Sequence, residues 1–443
     1  MRDAPTPKPQ RAVTRAGPGM TAPRTPSFAA QALMFTGAAL VMLGNYYAYD
    51  SIGPVAEQLS RELHFSDTQI GTLNAIYSLP NIFLVVIGGV LVDRFGARRM
   101  AVATTALCLV GAIVTALGTR FQVMATGRLL FGVGSETLSV AILVALAQWF
   151  TGRYFALLFA INLSLSRLGS YLADLSPSFA GGLYARGWQP PLWLATAFAA
   201  ASFAGALLYY YIDRREAPRG TLALQPPPER INWRHLLSFR AEYWLLVAVC
   251  VAFFSVIFPF RSTFAIKYLQ QAQGLTLAQA STLNSYVFLA AVFATPVFGL
   301  LLDRIGRNTL LLALGSALLP LSFLVLAGVN GGAGLSTALL GVSFSFLPAI
   351  LWPTVVRYSA PEHLGTAYGL MTTLQNFGLF AANLTAGYLN DMSGASAANP
   401  GGYTPMLWFF GLLSLSAFVG TVLLWLRDPG SAAAQPRAST TGP

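Results

Sequence analysis

Twelve apolar segments leave this chain little choice of fold. They fall at about 30–57, 68–92, 100–118, 122–149, 154–183 and 191–212, then at about 242–267, 278–302, 308–327, 335–356, 365–389 and 404–427. Each approaches the roughly 20 residues that a helix needs to cross a hydrocarbon core. Inside that core a lone segment satisfies its backbone hydrogen bonds only as a helix. Charged residues make up 10% of the chain and hydrophobic ones 55%, whereas soluble domains run near 25% and 45–50%. A string of soluble domains is therefore excluded. The predicted class is an all-α membrane protein of twelve transmembrane helices.

The segments form two sets of six. Between them lies the longest polar interruption, with DRREAPRG and QPPPERINWR, which reads as a linker. The expected organisation is a tail over 1–27, a bundle over 28–212, a linker over 213–241, a second bundle over 242–427 and a tail over 428–443. The first tail is rich in Pro, Arg and Thr without an apolar core, as a disordered segment is and a signal peptide is not.

Basic residues set the orientation. With both termini inside, cytoplasmic segments hold 20 of the 27 Lys and Arg, and external loops hold four, namely Arg61, Arg120, Arg186 and Lys267. Arg128, Arg167 and Arg261 lie within apolar segments. The positive-inside rule then puts both termini in the cytoplasm, and the expected location is the inner (cell) membrane of a bacterium. The net charge of +11 follows this topology and does not gather into a nucleic-acid patch. Cys108 and Cys250 sit inside apolar segments, while His64, His235 and His363 fall between them. That pattern implies no disulfide framework, metal centre or cofactor. With no phosphate-binding GxxxxGK[ST] loop either, the expectation is a non-enzyme driven by solute gradients.

An internal repeat relates the two sets. Thr72-Leu73-Asn74 recurs 210 residues later as Thr282-Leu283-Asn284. At that shift Leu79, Phe83, Gly89, Leu91, Asp93, Arg94 and Gly96 meet identical residues, ten identities in 25 ungapped positions. An even number of spans separates the copies, so the repeat is parallel and its axis runs along the membrane normal, an arrangement that places a solute site at midplane between the halves.

Ionisable groups inside spans are functional candidates because they are costly there. Glu136 and Arg167 lie 15 and 14 residues from the polar turn Thr151–Arg153, which puts both about 21 Å along neighbouring helices. They form either a structural ion pair or a site for something carrying both charges. Asp50 and Arg261 fall at matching depths in segments 1 and 7. They are expected either to pair as an external gate or to be solvated separately. Arg128 in GRLLFG stands near an outer helix end, where it either has a specific role within the span or snorkels to the interface. Aromatic and amide groups join the candidate lining: Asn45, Tyr46, Tyr47, Tyr49, Tyr77, Asn284, Tyr286, Trp352, Gln375 and Asn376. Pro80, Pro259, Pro296, Pro348 and Pro353 interrupt spans, as moving helices commonly require.

GVLVDRFGARR at 89–99 and GLLLDRIGRN at 299–308 share a spacing of Gly, three residues, Asp-Arg, one residue, Gly. Gly89 is expected to allow close helix packing, Asp93 to cap or pair, and Arg94, Arg98 and Arg99 to anchor the turn. Gly96 completes the first copy, and Gly299, Asp303, Arg304 and Gly306 make up the second. This loop resembles the signature of the major facilitator superfamily, which implies two pseudo-symmetric six-helix halves and a cytoplasmic latch between them. More specific stretches are YAYDSIGP at 47–54, YSLPNIFLVVIGGVLVDRFG at 77–96, GRLLFGVGSETLSVA at 127–141, LSLSRLGS at 163–170, FPF at 258–260 and LWPTVVRYSAPEHLGTAYGLMTTLQNFGL at 351–379. They resemble the lysosomal dipeptide-uniporter branch and its bacterial relatives. That resemblance implies a dipeptide site in which an acid on helix 4 and an arginine on helix 5, here Glu136 and Arg167, contact opposite ends of the ligand.

The expected function is thus secondary transport of small zwitterionic solutes, dipeptides foremost, by alternating access of a monomer in the lipid bilayer. Alternatives are a proton-coupled organic anion (carboxylate) carrier, with Arg167 holding the carboxylate and Glu136 the proton, and remotely a non-transporting receptor or scaffold. An empty site would let Glu136 and Arg167 neutralise each other.

Overall fold

The computed structural model describes residues 26–150, 152–216, 239–305, 308–328, 331–359 and 363–427. Twelve long helices fill them: α1 (Phe28–Tyr49), α2 (Asp67–Phe95), α3 (Ala97–Leu117), α4 (Phe121–Trp149), α5 (Gly152–Phe179) and α6 (Gln189–Glu216) form the first half. The second half comprises α7 (Ala241–Pro259), α8 (Leu277–Ile305), α9 (Asn308–Gly328), α10 (Ala333–Tyr358), α11 (Leu364–Met392) and α12 (Thr404–Arg427). The two tails, most of the linker, Thr151 and Gly306 lie outside the described residues. Local signals start the helices where polar residues meet apolar runs. Ser27 caps α1, and Ser66 with Gln69 forms a capping box on α2, which supplies acceptors for backbone N–H groups that a bare helix start leaves unpaired.

Eight of the helices, with their short extensions, are individually long and apolar enough to cross a membrane. A ninth, α2, qualifies when its parts Asp67–Leu84 and Ile87–Phe95 are joined across a 66° bend. The remaining three are α5, α8 and α11. Two of them are diluted by polar groups: Arg167, Ser170 and Asp174 on α5, and Thr372, Gln375, Asn376 and Asn383 on α11. Their low hydropathy is a signature of lining an interior rather than facing lipid.

The pairing of helices repeats. In the first half α1 packs on α5 and α6, α2 on α4, and α3 on α4 and α6. In the second, α7 packs on α11 and α12, α8 on α10, and α9 on α10 and α12. Adding six to each label converts one set into the other, as a parallel repeat demands. Among the described residues two crossings of long helices join the halves, α2 against α11 and α5 against α8, and they exchange under the same operation.

The first and seventh segments depart from the continuous helices expected. α1 ends at Tyr49 and passes through a 3-10 turn, Asp50–Val55, into a short helix at Ala56–Leu63. Pro54 has no N–H to return to the Asp50 carbonyl, so the α-helix cannot continue there. Segment 7 passes directly after Pro259 into a π-helical turn, Phe260–Phe264, and then a helix at Ala265–Gln271. Such turns are rare and concentrate at functional sites. Asp50 and Arg261 occupy these two irregular turns.

The loop motif also reads differently in three dimensions. Gly96 has φ +85° where α2 gives way to α3, a conformation that favours glycine. Gly89 has open space where a side chain would stand, whereas a Cβ on Gly88 would come within 3.0 Å of Thr137 Oγ1. The close helix approach expected of Gly89 is therefore one residue earlier. Arg98 donates to Asp213 Oδ2 at 3.4 Å, a contact within the first half rather than across to the second. Asp93 and Arg94 are exposed. Gly299, Asp303 and Arg304 lie in the last turns of α8, their side chains outside the described residues.

Candidate functional site

One end of the molecule is shut by side chains that cross between the halves. At its centre Arg261, 1% exposed, donates through Nη1 to Asp50 Oδ1 at 2.9 Å and through Nη2 to Asp174 Oδ2. Both carboxylates are equally buried. Asn284 donates to the same Asp174 oxygen at 2.9 Å and to the Arg261 carbonyl at 3.1 Å. Its repeat partner Asn74 donates to the Ser262 carbonyl at 3.1 Å and to Thr263 Oγ1 at 2.8 Å. The two asparagines thus reach in opposite senses across one interface. Asn284, expected among solute ligands, belongs to this clamp instead, because its register on α8 puts it beside α5 at the shut end.

Further out, Lys267 pairs with Asp67 and donates to Ser60 Oγ at 2.8 Å. Asp391 of the second half accepts the backbone N–H groups of Asp67 and Thr68, both at 2.8 Å. An acid from α11 therefore caps the positive start of α2. The backbones nearly touch here, since a Cβ on Gly387 would lie 2.4 Å from the Asp67 carbonyl oxygen. Gly387→Ala is expected to wedge the shut end apart. Spin labels at the exposed Arg61 and Ala278 should then report longer distances than in the wild type, and unchanged distances would count against tight closure at this crossing.

Arg128 does not snorkel. It is 2% exposed and donates to the carbonyls of Leu73, Ala48 and Tyr49 at 3.0–3.2 Å and to Asn74 Oδ1 at 2.8 Å. Three carbonyls and an amide satisfy its fork without a carboxylate, and it braces the asparagine that crosses the interface.

Beyond the clamp lies a cavity of about 860 Å³ of empty space, part of it open to solvent. Toward that end the inter-half hydrogen bonds among described residues thin to Thr373 Oγ1 on the Ile82 carbonyl at 3.4 Å. The first half lines the cavity with Asn45, Tyr46, Tyr49, Tyr77, Ser78, Glu136 and Arg167. Phe254, Phe258, Pro348, Trp352, Thr372, Gln375, Asn376 and Leu379 come from the second. Among the described lining residues both charges, Glu136 and Arg167, belong to the first half, and aromatic and amide groups face them. Tyr47 turns away to stack on Phe198 at 3.7 Å, and Tyr286 is exposed on the outer surface of α8.

Glu136 and Arg167 share the cavity but do not neutralise each other. Asn81 Nδ2 donates to Glu136 Oε1 at 2.8 Å. The Arg167 guanidinium carbon lies 5.9 Å from the Tyr46 ring and 5.2 Å from the Phe344 ring, within the range of cation–π attraction. Each charge is held by neutral groups, which leaves hydrogen-bonding capacity for a solute. Tyr77 Oη and Asn45 Nδ2 both donate to Ser135 Oγ, at 2.9 and 2.7 Å, fixing the floor beside Glu136. Gln375 accepts from Cys250 Sγ at 3.5 Å, Asn376 donates to the Thr372 carbonyl at 3.0 Å, and Trp352 stacks on Tyr368.

Asp174 and Asn81 escaped the sequence reading. Asp174 had a usable signal, since it lies seven residues, two helical turns, beyond Arg167 on the same face of α5. Asn81 had none, because its partner Glu136 is 55 residues away in the chain.

Comparison with known proteins agrees with this architecture. Lysosomal dipeptide transporter MFSD1 of Danio rerio is 33% identical over 401 residues, covering 87% of this chain and 84% of its own. The Homo sapiens protein of the same name is 31% identical, covering 86% and 83%. The crystal structure of the nucleoside transporter NupG superimposes with a TM-score of 0.71 at 13% identity, over 88% of this chain and 99% of that one. The Major Facilitator Superfamily model matches residues 37–383 and again 260–442, and with the repeated helix pairing and the cavity between the halves it makes this chain a membrane transporter of that superfamily.

Proposed function

We propose that the chain carries dipeptides by alternating access, with Arg167 holding the carboxylate end and Glu136 the ammonium end. The observation that carries this reading is a cavity in which an acid and a guanidinium are both present and unpaired with each other. A zwitterion supplies the two missing counter-charges, and a carboxylate matches the planar fork of arginine with two parallel hydrogen bonds. Because a zwitterion meets both groups at once, loading the site leaves neither charge bare. Tyr46, Tyr77, Trp352, Gln375 and Asn376 form the remaining walls, and the second half receives the solute's side chains. Names of the relatives that include a dipeptide support the same assignment.

The halves 28–212 and 242–427 move as bodies about this cavity, joined by the linker. Asp50 and Arg261 form a gate on the external face, and both termini lie inside a bacterial cell membrane. The distribution of lysine and arginine supports that orientation.

A thermal-shift screen of the purified protein tests the reading. Dipeptide at one hundred times its Kd stabilises by about 2.7 kcal/mol, several degrees in melting temperature. The shift should vanish in Arg167→Ala and in Glu136→Gln. Stabilisation by simple carboxylates, with none by dipeptides, would decide for an organic anion carrier instead.

A further inference from the structure

Phe288 is touched by the charged groups of both the clamp and the cavity. It sits on α8, wholly buried, with its ring centroid 3.8 Å from the Arg261 guanidinium carbon and 5.6 Å from that of Arg167. Phe344 fixes the ring edge-on at 5.3 Å, and Phe258 of the cavity wall packs edge-on against Phe344 at 5.7 Å. The clamp needs the ring, because Arg261 Nε finds no hydrogen-bond partner among the described residues and the aromatic face covers the guanidinium.

A ring face attracts a cation through its quadrupole. Two guanidiniums on one ring share that attraction while repelling each other, so each weakens the other's hold. The geometry points to Phe288 as a positioning residue that couples occupancy of the cavity to the clamp. A carboxylate settling on Arg167 cancels one of the two charges, Arg261 takes the ring alone, and the shut end tightens behind the loaded solute. Release of the solute restores the competition and frees the clamp to open. This rests on the reading that a solute carboxylate binds Arg167.

Ser170 offers a reporter. It is 0% exposed, its carbonyl accepts from Arg261 at 3.5 Å, and its hydroxyl has no partner among the described residues, so Ser170→Cys removes no hydrogen bond. The native Cys108 and Cys250 are buried. In membranes, a membrane-impermeant thiol reagent added from the shut side reads how often the clamp opens. With Phe288 present, Arg167→Gln should slow this reaction at least five-fold, and saturating Ala-Ala should do the same. In Phe288→Leu, or in Phe288→Met if the leucine variant does not fold, neither should change the rate by more than two-fold. Phe288→Tyr, which keeps the ring, should keep both effects. A full Arg167→Gln effect in Phe288→Leu, or no effect in either background, overturns the coupling. Because Arg167→Gln needs no solute, loss of the Ala-Ala response alone would count against the dipeptide reading and leave the coupling standing.

Discussion

Arg261→Met will release the shut end of the transporter without unfolding either half. In the closed arrangement two carboxylates, each 1% exposed, converge on this one guanidinium. Removing one partner of a buried ionic cluster costs about 3–5 kcal/mol, because the charges left behind have neither water nor a counter-ion. The cost applies only while the clamp is closed, since opening returns Asp50 and Asp174 to solvent. The equilibrium should therefore shift by a factor of about 10² to several times 10³, at about 1.4 kcal/mol per tenfold. Reactivity of a thiol at Ser170 from the shut side should rise accordingly, and adding Asp50→Asn and Asp174→Asn should bring it most of the way back. Exchanging the charges of Asp50 and Arg261 alone should fail to rescue, because it sets a new acid beside Asp174. Reactivity unchanged by Arg261→Met would remove the clamp as the element that holds this end.

Blocking the ends of the solute should be nearly as damaging, and should reveal which end each residue holds. An amidated dipeptide lacks the carboxylate and leaves Arg167 with its aromatic neighbours, whereas an acetylated one lacks the ammonium and leaves Glu136 with Asn81. Each loss removes a charge-assisted contact and strands a desolvated group, and truncating one member of such a pair costs about 2–5 kcal/mol. Binding measured calorimetrically should weaken by about 30-fold or more for either analogue, by the same conversion. In Glu136→Gln the acetylated and free dipeptides should bind alike, while amidation should still weaken binding. The reverse pattern should hold in Arg167→Ala. Acetylation that still weakens binding to Glu136→Gln as much as to the wild type would unseat Glu136 as the ammonium partner.

These expectations draw unequally on sequence and structure. Hydropathy located ten of the twelve helices to within about four residues at each end, because the hydrocarbon core imposes a length and a polarity that each segment must meet alone; it could not show the breaks that end α1 and α7 early. The parallel repeat was likewise legible, and Asn74 and Asn284 are its clearest members. Glu136, Arg167, Asp50 and Arg261 stood out for a related reason: a charge in an apolar run is costly enough to need a purpose.

What the chain alone determined, then, is what each helix requires of the membrane, since that is a property of one segment at a time. Tertiary structure decided what depends on rotation and neighbours. It put Asn284 in the clamp rather than the cavity, gave Arg128 three carbonyls instead of the interface, and moved the close helix approach from Gly89 to Gly88. It held Glu136 and Arg167 apart on amide and aromatic partners and brought Asp174 and Phe288 to Arg261. Such contacts join residues tens to hundreds of positions apart, and only the packing of the helices sets which faces meet.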